Sequence, residues 1–365
     1  MIGGVENSVY MLVSQLRSLG QEVRVVTASA NCAKYEKDVV RLPVMLKLER
    51  DWGDLLFCPT ILQVMRDLQF DIVHAHTPRK LFAEAVALYK LLSKKEFPYV
   101  VSVRLLNQSL QGFWVGALRV YQKTVEKHTL EHARFVIAQT KENKRIIHED
   151  FGIPLDRICI IPNGVDTGFF NPKKYCQQET RDGHEEKTVL FAGRLTNQKG
   201  LIYLFNSIPE VEKSCGKVRF HIVGDGPLRT NLQSLAKKLN ITDEVIFHGE
   251  AKHDGMIKFY SEADIFVLPS LSESFPNVML EAMSMEKPVV VTRVGAIPEV
   301  VTDKENAILV EPGDCEQIAT SIVDLLLNDS LRKRLGANAR KLVKEKYTWE
   351  SVAKHTLAIY EEALA

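Results

Sequence analysis

A chain of 365 residues, 45% hydrophobic and 25% charged, suits two domains of ordinary size and an unexceptional globular enzyme. Its 47 Lys and Arg against 46 Asp and Glu leave a formal net charge of +1, so no general attraction to nucleic acid is built in. The six cysteines (Cys32, Cys58, Cys159, Cys176, Cys215 and Cys315) show no Cys-x2-Cys pair, and no run of 18 apolar residues or signal peptide occurs. A zinc site, a disulfide framework and a membrane span are thereby disfavoured, and a reducing, cytoplasmic setting is expected.

Residues 2–8, IGGVENS, form a glycine-rich turn leading into an amphipathic helix (Val9, Leu12, Val13, Leu16, Leu19) that stops at Gly20. Glycines ahead of a helix let backbone amides approach a phosphate or sugar, which makes Gly4 a candidate contact. A strand is expected at Val23–Thr27, a helix at Ile61–Asp71 and a strand at Ile72–Ala75. His74 and His76 read as strand neighbours on opposite faces, a poor metal pair with structural roles. A helix at Arg79–Ser93 and a strand at Tyr99–Val103 follow, with Arg104 at the strand's carboxyl end. Leu110–Glu131 carries Phe113, Trp114 and Tyr121 among Arg119, Lys123 and Lys127. That mixture fits an ordinary amphipathic helix, with peripheral contact at the inner face of a membrane as the second reading. Strands at Phe135–Ala138 and Ile158–Ile161 close the first half. The polar stretch Lys173–Lys187 reads as a linker, so domains are expected at 1–170 and 186–347.

The second half opens with VLFAGRLTNQKG, Val189–Gly200. Arg194 and Lys199, two cations around a glycine-bearing turn at a strand's carboxyl end, suit a diphosphate; two solvated surface cations would look the same. The strand Phe220–Val223 ends in the tight turn Gly224-Asp225-Gly226-Pro227, and a strand at Val245–Gly249 carries His248. Residues 264–298 hold the densest pattern: a buried strand Ile265–Leu268, a polar loop Ser270–Ser274, a helix with Pro276 at its first position, and a second strand Val289–Thr292. Glu273 lies just ahead of that helix and Glu281 on it. A phosphate on the helix amides with hydroxyls at both carboxylates describes a nucleotide sugar; a solvated Glu281 and a Glu273 that merely supports the helix start is the plainer alternative.

The segment ESFPNVMLE resembles the Glu-x7-Glu signature of retaining glycosyltransferases of family 4, and EAMSMEKPVVVTRVGAIPEV is similar to that family's continuation. The resemblance extends over nearly the whole chain and implies an α/β protein of two doubly wound, Rossmann-like domains facing a cleft, the GT-B architecture. The helix at 348–365 would cross back to the first domain, and a first strand ahead of the Gly-Gly turn is missing. It further implies retaining transfer of a sugar from a UDP- or GDP-sugar to a glycan, lipid-linked or small-molecule acceptor, with no metal or other cofactor. Carried over, Glu273 approaches the donor sugar, Glu281 holds the ribose, and Arg194 and Lys199 clamp the diphosphate. Gly224 and the strand end at His248 lie along the nucleotide. Because family members often have Gly where Ser274 and Pro276 stand here, phosphate contacts fall to Phe275, Asn277 or Val278. Arg104 replaces a common His and cannot transfer a proton near neutral pH. A weak nucleotide-sugar-binding protein, or an epimerase or hydrolase on the same architecture, are the competing expectations.

Overall fold

The structure, a computed structural model, describes residues 4–29, 38–48, 55–76, 81–93, 96–104, 116, 120–175 and 186–365. The chain forms two compact units, 5–162 with 352–365, and 163–351. The division falls at Pro162, ahead of the polar stretch 173–187, because Val165 already bridges to Thr348 and its amide bonds the Tyr347 carbonyl at 2.8 Å. Residues 176–185 of that stretch lie outside the described residues.

In the first unit, β1 (Val25–Ser29) and β2 (Val39–Pro43) pair in parallel, and β3 (Leu46–Leu48) pairs antiparallel with β4 (Leu55–Phe57). A separate parallel sheet runs β5 (Val73–His76), β6 (Tyr99–Val103), β7 (Phe135–Ala138), β8 (Ile158–Ile160). Among the described residues no ladder joins β1 to β5. β6 and β7 are buried throughout, whereas Val25–Ala28 and most of β5 are half-buried. β1 begins two residues later than its apolar pattern predicts.

The reading of His74 and His76 is corrected. Their rings lie 4.1 Å apart on one face of β5, because strand side chains repeat every second residue. The helix Lys141–Phe151 shows why local sequence suffices there: the Thr140 hydroxyl accepts from the Asn143 amide at 2.9 Å, and Gly152 ends it in the left-handed conformation. Of 110–131, residue 116 and residues 120–131 are described; the latter are helical, with a π-helical stretch at Gln122–Glu126 and exposed Val120, Lys123 and Val125. Phe113, Trp114 and Arg119 lie outside the described residues. No described helix is long and apolar enough to cross a membrane.

The second unit holds one parallel sheet. Its strands are β9 (Lys187–Ala192), β10 (Val218–Val223), β11 (Val245–Gly249), β12 (Ile265–Leu268), β13 (Val289–Thr292) and β14 (Ile308–Val310), in the order β11-β10-β9-β12-β13-β14. The central strands β12 and β13 are wholly buried, which is why they read as unbroken apolar runs rather than alternating ones. The helix Asn277–Ser284 packs Met279, Leu280, Ala282 and Met283 into the core; it starts one residue after Pro276.

Candidate active site

Chain order reverses between β9 and β12: β10 and β11 add on one side of β9, and β12 to β14 on the other. Open α/β sheets bind ligands in the crevice outside the carboxyl ends of the strands at such a reversal. The turn after β9 brings Lys199 there, and the loop after β12 brings Glu273. Lys199 Nζ lies 2.6 Å from Glu273 Oε1, which also accepts from the Ser270 hydroxyl at 2.6 Å. The Glu273 side chain is only 7% exposed and that of Lys199 22%, so the pair is largely withdrawn from water. The Leu271 amide bonds the Gln198 carbonyl at 2.7 Å, tying the two loops together, and Thr292 at the end of β13 donates to the Ser270 carbonyl at 2.5 Å.

Two glycines make this packing possible. Gly295 has φ +52°, and a Cβ there would stand 1.7 Å from the Glu273 carbonyl oxygen. Gly200 has φ +64°, and its Cβ would meet the Pro269 carbonyl oxygen at 1.9 Å. Neither the backbone conformation nor the space tolerates a side chain.

Glu281 is buried at 8% exposure and its Oε2 accepts from the Tyr260 hydroxyl at 2.8 Å. Burial raises its pKa above the usual carboxylate range; the Tyr260 hydrogen bond and the nearby His253 pull the other way. Phe275 is buried, and Asn277 Oδ1 accepts from Asn163 Nδ2 at 2.8 Å, so the helix start is anchored to the segment that opens this unit. Val278 is half-buried.

Arg194 is exposed on the turn before Lys199, and no ion pair to it is found among the described residues. Gly224 lies in the turn after β10, its amide bonded to the Gly249 carbonyl at 2.7 Å. His248 sits exposed on the outermost strand, its ring 4.8 Å from His221 and 4.7 Å from Phe259, and burial lowers its pKa. Gly4 is the first residue of the helix Gly4–Ser18. Arg104 belongs to the first unit. The described residues contain no group of three His, Cys, Asp or Glu arranged to hold a metal.

Residues 2–169 match the family described as Glycosyltransferase Family 4, and residues 175–342 match Glycosyl transferases group 1. The chain belongs to the group 1 glycosyltransferases. It is 28% identical over 382 residues to an uncharacterized glycosyltransferase of Methanocaldococcus jannaschii, covering 100% of this chain and 95% of the relative. It is also 28% identical over 380 residues to a phosphatidylinositol N-acetylglucosaminyltransferase subunit of Arabidopsis thaliana, covering 99% and 79%. The solved structure of Anabaena HepE in complex with UDP matches with a TM-score of 0.80 at 17% identity, over 99% of this chain and 97% of that one. Sucrose-phosphate synthase from Thermosynechococcus elongatus matches at 0.76 with 21% identity, over 99% and 93%. The glycosyltransferase therefore has the GT-B fold of two Rossmann-like domains.

The structure joins Lys199 to Glu273 and adds two residues that sequence reading passes over. Ser270 is one serine in a polar loop, and nothing local marks it as a carboxylate partner. Tyr260 is an ordinary apolar position of the helix His253–Glu262 until β12 and the helix Asn277–Ser284 return Glu281 to its hydroxyl.

Proposed function

We propose that this glycosyltransferase moves a sugar from a UDP- or GDP-sugar to a glycan, lipid-linked or small-molecule acceptor with retention at the anomeric carbon. The observation that carries the reading is the buried Lys199–Glu273–Ser270 cluster at the switch point of the second sheet. An arriving diphosphate competes with Glu273 for the Lys199 ammonium, and Arg194, exposed on the same turn, adds a second cation. The amides at the start of Asn277–Ser284 supply further donors. Together these neutralise the charge that develops on the leaving diphosphate without calling on a metal. Glu273, released from Lys199 but still held by Ser270, faces the positive charge that grows at the sugar. Glu281, with one oxygen on Tyr260, keeps the other available to ribose hydroxyls. That HepE was solved with UDP supports a nucleotide ligand for this fold.

Calorimetric titration with UDP and GDP tests the donor side. One nucleotide should saturate the protein, and Lys199→Ala and Glu281→Ala should each weaken it about tenfold or more, the size of one charge-assisted contact. Unchanged affinity in both folded variants would remove the cleft assignment. Proton NMR of the transferred sugar reads the anomeric configuration directly, and an inverted product would refute retention.

A further inference from the structure

In the second unit the helix Asp329–Lys346, DSLRKRLGANARKLVKEK, carries seven Lys and Arg against one Asp and one Glu. The whole chain is only +1, so the rest of it is net negative. Asn328 caps the helix, its side chain accepting from the Leu331 amide at 2.9 Å. One side enters the core through Leu335, Ala339 and Val343. A Cβ on Gly336 would stand 2.1 Å from the Glu286 carbonyl oxygen, so that side lies directly against its neighbour. Arg340 turns inward as well, donating to the Phe170 carbonyl at 3.2 Å and to the Ser284 carbonyl.

The other side is a different surface. Lys333, Arg334, Ala337, Lys341 and Lys344 are exposed and, at 3.6 residues per turn, fall within about a third of the helix circumference. Along the axis they extend about 17 Å. None of the four cations forms an ion pair among the described residues; Asp329 is paired with Arg332 at 2.5 Å. Ala337, in the middle of the row, adds no bulk that would hold a flat surface away. At the corner leading into the helix, Leu327 is 67% exposed. A linear polyanion would be satisfied by the cations alone. Leu327 argues for a partner that also takes an apolar side chain, and the row holds no aromatic on which a nucleic-acid base could stack. An anionic bilayer offers both, charged headgroups for the cations and an acyl boundary for the leucine.

We propose that the outer face of Asp329–Lys346 docks the protein on an anionic lipid bilayer, with Lys333, Arg334, Lys341 and Lys344 on the headgroups and Leu327 at the acyl boundary. The docking does not rest on the glycosyltransferase reading. What rests on that reading is the consequence: among its acceptor classes, docking favours the lipid-linked one.

The test is sedimentation of the full chain with vesicles of equimolar phosphatidylcholine and phosphatidylserine, and with vesicles of phosphatidylcholine alone. The protein should bind the first and not the second, and added salt should release it. Lys341→Gln with Lys344→Gln should weaken binding about 25-fold, at about fivefold per cation. The same loss of charge at Lys237 and Lys238, exposed on the helix Arg229–Leu239, should leave binding unchanged. Lys341→Arg with Lys344→Arg should keep it, since a bilayer reads charge and not side-chain shape. Leu327→Asn should weaken it several-fold, because an apolar contact is lost. No binding to the anionic vesicles overturns the proposal. Equal weakening by the two Gln pairs, or loss of binding in the Arg pair, overturns it too. Capture of polyglutamate or DNA through the same lysines, with vesicles left unbound, would give the face to another partner and equally refute the bilayer. Melting temperatures check that each variant is folded, as these exposed positions should allow. UDP titration of the Gln pair should match the parent, so the donor reading and the bilayer reading stand or fall separately.

Discussion

Substituting Gly295 by Ala probes the active site without touching any group proposed to meet the ligand. The new Cβ would begin 1.7 Å from the Glu273 carbonyl oxygen, and contacts below 3.0 Å essentially do not occur. The loop that carries Glu273 must therefore move by about 1.3 Å, or Gly295 must leave φ +52°. The left-handed conformation alone costs an alanine about 1–2 kcal/mol. Displacing a catalytic group by about 1 Å costs ~100-fold in rate. Gly152 provides the control: its φ is +72° and nothing lies within 4 Å of its Cβ, so Gly152→Ala carries the backbone strain without the clash. Melting temperature and donor turnover, measured side by side, separate the two effects. Gly152→Ala should lose about 2–8 °C and keep its turnover, at ~2–4 °C per kcal/mol for a unit of this size. Gly295→Ala should lose more stability and about two orders of magnitude in turnover. Turnover within threefold of the parent would show that the position of Glu273 is not set by this contact, and the reasoning would fail.

Two further outcomes follow from buried titratable groups. His74, neutral in the folded state with a pKa of about 3, takes up a proton far more readily once unfolded. Its contribution to stability is present above the ordinary histidine value and is lost as the pH falls towards the folded one. Between about pH 7.5 and pH 5 that amounts to ~2 kcal/mol. Urea denaturation at the two pH values should show His74→Gln losing that much less than the parent, and an equal loss would contradict the buried neutral ring. The raised pKa of Glu281 predicts that nucleotide affinity starts to fall, on acidification, at a pH above the usual carboxylate range, because the protonated acid is a poorer acceptor for ribose hydroxyls. Tyr260→Phe removes a hydrogen bond that stabilises the carboxylate and should move that fall to still higher pH; an unshifted profile by calorimetry would sink the assignment.

Much of the architecture was legible along the chain for definite reasons. Ile265–Leu268 and Val289–Thr292 are short, β-branched and continuously apolar, and only strands covered on both faces tolerate that in an open sheet. Thr140 and Gly152 bracket a helix by their own hydrogen bonds and dihedral, with no help from afar. The histidine pair on β5 was within reach too, since alternation puts residues two apart on one face.

What the sequence could not order was the sheet. Lys199 and Glu273 are 74 positions apart, and each by itself is a charged loop residue. They meet because β12 pairs with β9 rather than with β11, a choice made by how the helices cover the two faces and not by any short segment. Tyr260 meets Glu281 only through the return of the chain by way of β12, whereas Ser270 meets Glu273 within their own loop. In the first unit, sequence placed His74 on a strand, but only the packing of β5 against β6 and the last helix set its ring between the Ser102 and Tyr360 hydroxyls. Local composition therefore determined which segments became strands and helices and which cations and carboxylates stood at their ends. The tertiary structure alone decided which of those charges face one another, because charge pairing depends on distance through space, and that distance is set by strand order.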